Sequence, residues 1–335
     1  MTPLEAELRG EIAWLGPISF QRFMQQALYH PEHGYYRRAR DPFGKDGDFF
    51  TNSQLQPVFG RLLGRQLSRW REEMGNPADF TVIEIGAGRA ETLQEVQRCL
   101  PGVVCQAIDV GRGSLADCFS GVVYANEFFD ALPVHVVEQR PEGLVELLVD
   151  CDDRGFHWGP PRPAGVALED YIRNYTPGLE PGQRLEANLA ALDHLENISR
   201  SLQCGYVLTI DYGYTAAEIA VGRRFANGSL MSYARHQAFE DVFSDPGDRD
   251  ITAHVNFTAL EHRGKQLGLT PLSLQTQAQF LLNAGQPDEF QEALAARDDA
   301  DAQRLRLQLK TLLFGMGETF RVLVQRKESY TPNKR

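Results

Sequence analysis

Apolar positions along the chain follow two rhythms, one helical and one strand-like. Residues 4–15 and 19–30 carry helical spacing and are parted by Gly16-Pro17, which no regular helix crosses. In the second segment Phe20, Phe23, Met24, Ala27 and Leu28 define one apolar face, and Ser19 is placed to cap it. Gln54 to Met74 is helical again and stops at Gly75-Asn76-Pro77. Four short apolar runs, Phe80 to Ile85, Val103 to Ile108, Val122 to Ala125 and Tyr206 to Ile210, read as buried parallel strands. Residues 134–160 alternate as short strands broken at Pro141-Glu142-Gly143 and Asp152-Asp153-Arg154-Gly155, which predicts a β insertion. Pro160 to Pro163 and Pro177 to Gly182 read as loop. Gln183 to Gln203 is predicted as one amphipathic helix, with Leu185, Leu189, Leu192, Leu195, Ile198 and Leu202 facing inward. Further on, 256–267, 277–284 and most of 287–314 read as helix, and 269–275 and Phe320 to Gln325 as strand.

Strands alternating with helices predict an α/β fold built on a doubly wound, mostly parallel sheet. The expected organisation is an N-terminal helical cap and lid loop over 1–78, a Rossmann-like domain over 79–326 and a tail over 327–335. Within the domain, a β/substrate insertion covers about 134–182 and a second lid loop about 214–256. The irregular stretches GDFFTNSQ (47–54) and 228–257 are long enough to fold over a site and exclude water.

One stretch organises the rest. Phe80 to Ile85 runs into Gly86-Ala87-Gly88 and then into a helix from Ala90, the strand–turn–helix unit of a nucleotide-type site. A dinucleotide fingerprint wants glycine at position 91, where this chain has Glu91. Glu84 adds a second acid at the strand end. Two carboxylates beside the turn oppose a pyrophosphate and suit a cationic ligand without phosphate, such as S-adenosylmethionine with its sulfonium and ammonium groups. Asp109 lies about twenty residues beyond the turn, where an acid is expected to bond ribose hydroxyls.

Composition narrows the field. A net charge of −11 argues against a general nucleic-acid binder and is compatible with a cationic substrate. The five cysteines are scattered without a C-x-x-C pair, so reduced thiols and no metal site are expected. No apolar run is long enough to span a bilayer, and the first residues lack a secretory pattern, which leads to an expected cytoplasmic location without membrane insertion.

In an open parallel sheet the ligand lies outside the carboxyl ends of the strands. Three such ends here carry acids: Glu84, then Glu127 with Asp130, then Asp211. The alternative for each is a helix cap or a loop-bonded carboxylate. His236 and His254 are the candidate bases, the latter in the company of Asp250, Thr252 and Asn256, against a structural role for both. The basic clusters Arg37-Arg38-Ala39-Arg40 and Arg223-Arg224 read as solvated faces.

Nine short strings then occur in order. They are Gly16-Pro-Ile-Ser-Phe20, His30-Pro31, Gly34-Tyr35-Tyr36, Gly47-Asp48-Phe49-Phe50-Thr51, Phe59-Gly60, Glu84-Ile-Gly86-Ala-Gly88, Asn126-Glu127-Phe-Phe-Asp130-Ala-Leu-Pro133, Asp211-Tyr212-Gly213 and Asp250-Ile-Thr-Ala-His254-Val-Asn256-Phe257. Together, over residues 16–326, they resemble the MidA family of S-adenosylmethionine-dependent methyltransferases. The resemblance implies a Rossmann-like class I methyltransferase fold, S-adenosyl-L-methionine as cofactor and a protein arginine as substrate. It implies that Glu84, Gly86 and Gly88 surround the cofactor, with Ala87 in the same turn and Thr51 nearby, and that Asn126, Glu127 and Asp130 line the cofactor and substrate cleft. A guanidinium stays protonated at neutral pH, so its methylation calls for carboxylates, and Glu127, Asp130 and Asp211 are the candidates, with His254 beside them. Three departures stand out: Ala90 replaces a third glycine, Asn52-Ser53-Gln54 replaces Ser-Pro-Glu, and one βα step is missing between Gly88 and Asn126. A small-molecule N- or O-methyltransferase, or a non-catalytic assembly factor on the same fold, are the other readings. Oligomeric state is not legible.

Overall fold

The computed structural model describes residues 1–38, 57–221, 226–285, 290 and 299–329. The chain divides into two compact units, each made of three separate segments. The first comprises 1–50, 129–193 and 214–262; the second comprises 51–128, 194–213 and 263–335.

The second unit holds the main sheet. Its strands follow the order Leu269–Thr276, Phe320–Lys327, Leu202–Tyr214, Phe119–Asn126, Phe80–Ile85, Val104–Ile108. Phe80–Ile85 is parallel to both of its neighbours, and Phe119–Asn126 is parallel to Leu202–Tyr214. Both pairings of Phe320–Lys327, with Leu202–Tyr214 and with Leu269–Thr276, are antiparallel. The β-branched runs predict these strands because residues buried on both faces need no alternation. On one face Val82, Val122, Leu208 and Val322 pack with Leu62, Leu63 and Leu67 of the helix Val58–Glu73 and Val96 of the helix Glu91–Cys99. Trp70 stacks on Tyr206, with ring centroids 4.5 Å apart. The sheet ends at Val104–Ile108, where Val104 is exposed, in keeping with a chain too short for a further βα step.

The first unit is built on small antiparallel sheets and helices. The helix Phe20–Tyr29 buries Phe20, Phe23, Met24, Ala27 and Leu28, the face expected from their spacing, and Ser19 Oγ accepts from the Arg22 amide as its cap. These side chains pack on Val134, Val136, Val145 and Val149 of the β insertion and on Ile251. Two hairpins in separate sheets, His135–Arg140 with Gly143–Glu146 and Leu148–Asp152 with Gly155–Trp158, form that insertion.

Three elements differ from the pattern-based expectation. The predicted helix from Gln183 starts instead as a strand, Arg184–Ala187, paired with His135–Glu138. Asn188 then opens the helix Leu189–Ser201 by accepting the Ala191 amide on Oδ1 at 2.9 Å. The leucines fit a helical period, but the cap residue inside the run marked the true start. A helix over Val166–Tyr175 adds to the predicted elements; Leu168, Tyr171, Ile172 and Tyr175 are its buried stripe, flanked by loop residues on both sides. Residues 214–256, expected as irregular, carry the helix Ala216–Val221 and a three-stranded sheet of Gln237–Phe239, Met231–Ala234 and Asp250–Thr252.

Candidate active site

In the second unit the carboxyl ends of four adjacent strands bring Asp109, Glu84, Asn126 with Glu127, and Asp211 to one edge of the sheet. The Glu127 amide donates to Ile210 O at 2.9 Å, and the Gly86 amide to Ile108 O at 2.9 Å, so the loops leaving these strands are tied to their neighbours. Gly86 and Gly88 adopt φ of +72° and +49°, the left-handed region that glycine enters without steric cost. A Cβ at Gly86 would lie 2.9 Å from Phe128 Cδ2, so the turn is closely packed as well as sharply bent. Ala90 and Glu127, which are not glycines, also sit at positive φ, 56° and 54°. Such strain persists where the surroundings impose it, and it concentrates at functional positions.

Glu84 is 4% exposed, and its Oε2 has no hydrogen-bond partner among the described residues. Burial pushes its carboxyl up to about 8, against the opposing influence of the Tyr124 hydroxyl, the Leu93 amide and Arg112, while Asp109 adds to the rise. A buried polar atom left without a donor suits a ligand that supplies one. Arg112 escaped the motif reading although its guanidinium donates to Gly88 O at 2.8 Å. Asp109 closes a tight turn by exchanging backbone bonds with Arg112, and its Oδ1 accepts the Val110 amide at 2.6 Å.

Not all of the strand-end acids share a face. Ile210 registers with Asn126, and Leu208 with Tyr124 and thereby with Glu84. Side chains alternate along a strand, so Asp211 projects from the opposite face to Glu84. Asp211 is fully buried and accepts the Tyr212 amide at 2.9 Å. Asn126 Nδ2 donates to Glu127 Oε1 at 3.2 Å.

Asp130 and His254 belong to the first unit. Asp130 O accepts the Ala253 amide at 2.9 Å, which joins the Asn126–Pro133 string to the Asp250–Phe257 string at that point. The His254 amide donates to Ser229 Oγ at 3.0 Å, and Ser229 in turn donates to the buried Glu186. Asn256 caps the helix Phe257–Gln266 by accepting the Ala259 amide. His236 is exposed at the tip of a two-residue hairpin in which Arg235 and His236 both have positive φ, the geometry of a primed turn. Thr51, like the 47–54 stretch and the Arg223-Arg224 pair, lies outside the described residues.

The strand, glycine turn and acid edge form a Rossmann-like unit, and the chain is similar to proteins of the methyltransferase class. The family model "Putative S-adenosyl-L-methionine-dependent methyltransferase" matches residues 112–275. A superfamily member from Burkholderia thailandensis, solved with bound S-adenosyl-homocysteine, superimposes with a TM-score of 0.85 at 32% identity over 97% of this chain and 92% of that one. The chain belongs to this family of S-adenosyl-L-methionine-dependent methyltransferases. Among curated relatives, the proteins named Protein arginine methyltransferase NDUFAF7, mitochondrial, from Bos taurus and Homo sapiens are 28% and 26% identical. Each match covers 96% of this chain, with 83% and 82% of the relatives' lengths.

The residues fit S-adenosylmethionine. The Gly86–Gly88 turn adopts the left-handed backbone of a nucleotide-type turn, Glu84 offers an acceptor oxygen, and Glu91 in the first helical turn disfavours a phosphate. The expected cytoplasmic location does not stand, because the curated relatives are named as mitochondrial proteins. That expectation rested on a missing secretory pattern, which carries no information about other compartments. Among the described residues no helix is long and apolar enough to cross a membrane.

Proposed function

We propose that this methyltransferase acts on a protein, transferring the methyl group to a guanidinium nitrogen of arginine. The observation that carries the reading is the match to protein arginine methyltransferases over nearly the whole chain, where a nucleotide-turn likeness would be confined to the sheet. The net charge of −11 and the buried acids of both units are compatible with a cationic side chain as substrate. In this reading Glu84, Gly86, Ala87, Gly88, Asp109, Asn126 and Glu127, all in the second unit, serve the methyl donor, and in the first unit Asp130 is the acid for a guanidinium. His254 is kept as a candidate base in the first unit. Asp211 anchors the Tyr212 backbone, and its opposite-facing side chain separates it from the Glu84 side of the pleat.

The test is label transfer. Purified protein, S-adenosylmethionine carrying a labelled methyl group and a lysate depleted of methylated protein are expected to give label in protein, recovered as methylarginine after hydrolysis. Label confined to low-mass products would reject the protein substrate. Absence of both label and calorimetric binding of S-adenosylmethionine would reject catalysis.

A further inference from the structure

The first unit contains a second acid setting that the glycine-turn chemistry does not use. Asp130 and Asp250 are 5% and 4% exposed. Tyr36 Oη donates to Asp250 Oδ1 at 3.0 Å. Tyr233 lies directly across the sheet from Asp250, and Asp250 and Thr252, two residues apart on their strand, present the same face. Burial pushes both tyrosine hydroxyls above their ordinary range, and the negative fields of Asp130 and Asp250 add to the rise at each. The Tyr29 ring stacks on Tyr36 with centroids 5.5 Å apart, and Tyr29 Oη donates to Ala131 O. The backbone bond from Ala253 to Asp130 O ties the two acid-bearing segments together. A further polar group is present on this face: Thr252 is buried, 4% exposed, with Tyr233 as its neighbour.

Resting on the arginine reading above, we propose that Asp130, Asp250, Tyr36, Tyr233 and Thr252 form the subsite that recognises the substrate guanidinium. The chemistry selects this cation. A guanidinium is planar, offers five donors in a fixed fork and stacks on aromatic faces, so it matches two carboxylates framed by phenols better than a compact ammonium does. The same unit seats its own arginines in this manner. Arg38 lies over the Tyr35 ring at 4.4 Å while donating to Asp248 at 2.9 Å, and Arg249 lies over Phe239 at 4.7 Å while paired with Asp245 at 2.7 Å. Asp130 and Asp250 supply acceptors, the Tyr36 and Tyr29 rings supply a stacking surface, and the Thr252 hydroxyl takes one of the remaining donors.

The probe is N-ethylguanidinium, titrated into the full chain with ring-labelled tyrosine and read by magnetic resonance, with N-ethylammonium and neutral ethylurea as controls. Saturable shifts at Tyr36 and Tyr233 with the guanidinium, at least tenfold weaker with both controls, are expected. Asp130→Asn and Asp250→Asn should each abolish them while leaving S-adenosyl-homocysteine affinity within twofold. Should either variant lose its cooperative unfolding transition, Tyr233→Phe, which keeps both acids, is expected to weaken guanidinium binding several-fold. Failure of N-ethylguanidinium to bind, or binding unchanged in the acid variants, overturns the subsite. Arginine labelling at wild-type rate by the Asp130→Asn, Asp250→Asn double variant overturns it too and leaves the arginine reading intact. Guanidinium binding that meets these criteria without any arginine methylation supports the subsite and rejects the substrate.

Discussion

Glu84 and Asp250 are equally enclosed, each 4% exposed, yet their surroundings treat the carboxyl group differently. Glu84 closes a parallel strand beneath the glycine turn, one of its oxygens has no partner among the described residues, and burial raises it to about 8. Asp250 opens a short antiparallel strand, where Oδ1 accepts both the Tyr36 hydroxyl and the Ile251 amide at 3.0 Å. Exposure alone therefore does not say what an acid is for. Donor supply does, and a central parallel strand has already spent its amides on the ladder while a strand start has not.

The sharpest break of this contrast is a pH series on Glu84→Gln. Each pKa unit is worth about 1.4 kcal/mol, so a rise from 4.5 to about 8 corresponds to a loss on the order of 5 kcal/mol of stability across that window. A folded-state pKa above the unfolded value means the folded protein holds the proton more tightly. Stability from this group is greatest below pH 4.5, falls as pH rises towards 8 and is level above it. Unfolding midpoints of the glutamine variant should lose that slope. Affinity for S-adenosylmethionine should rise with pH over the same window in the unmodified protein and stay flat in the variant, as calorimetry would show.

Next in size is Gly86→Val. A β-branched residue at φ +72°, with Phe128 2.9 Å from its Cβ, should cost about 3 kcal/mol and lower donor affinity by roughly two orders of magnitude. Donor binding within a few-fold of the unmodified protein would show that the turn does not cradle the ligand. On the other side of the contrast, Tyr36→Phe removes one donor from Asp250 and should destabilise by about 1 kcal/mol, measured by denaturant unfolding. The smallest effect is a gain: Ala90→Gly relieves a left-handed alanine at φ 56° and should stabilise by about 0.5–1 kcal/mol. A loss there would mean that the Ala90 methyl group is needed for packing.

Much of the second unit was legible because its signals are local. Phe80–Ile85 and Gln277–Ala284 fall where apolar runs and caps place them, and the glycine turn follows its strand. The strand ends could be aligned by the rule for parallel sheets, but the facing of Asp211 needed the register with Asn126. In the first unit, Leu185 fitted a helical stripe until its pairing with Val137 claimed it for a sheet. Asp250 was visible in sequence as company for His254 and as the start of the Asp250–Phe257 string; its hydrogen bond to Tyr36 joins distant segments, and no local pattern encodes such a pairing.

Phe320–Lys327 is inserted between Leu202–Tyr214 and Leu269–Thr276, antiparallel to both. During synthesis both flanking strands emerge first; Leu202–Tyr214 already has Phe119–Asn126 to pair with, but Leu269–Thr276 has no place in this order until Phe320–Lys327 arrives. The Leu202–Tyr214 edge of the main sheet therefore stays open until residues 320–327 are made, and it is covered only after a long-range docking event. A nascent chain halted before residue 320 should accordingly be a client for chaperones, holding its glycine turn on a sheet still missing its connecting rung.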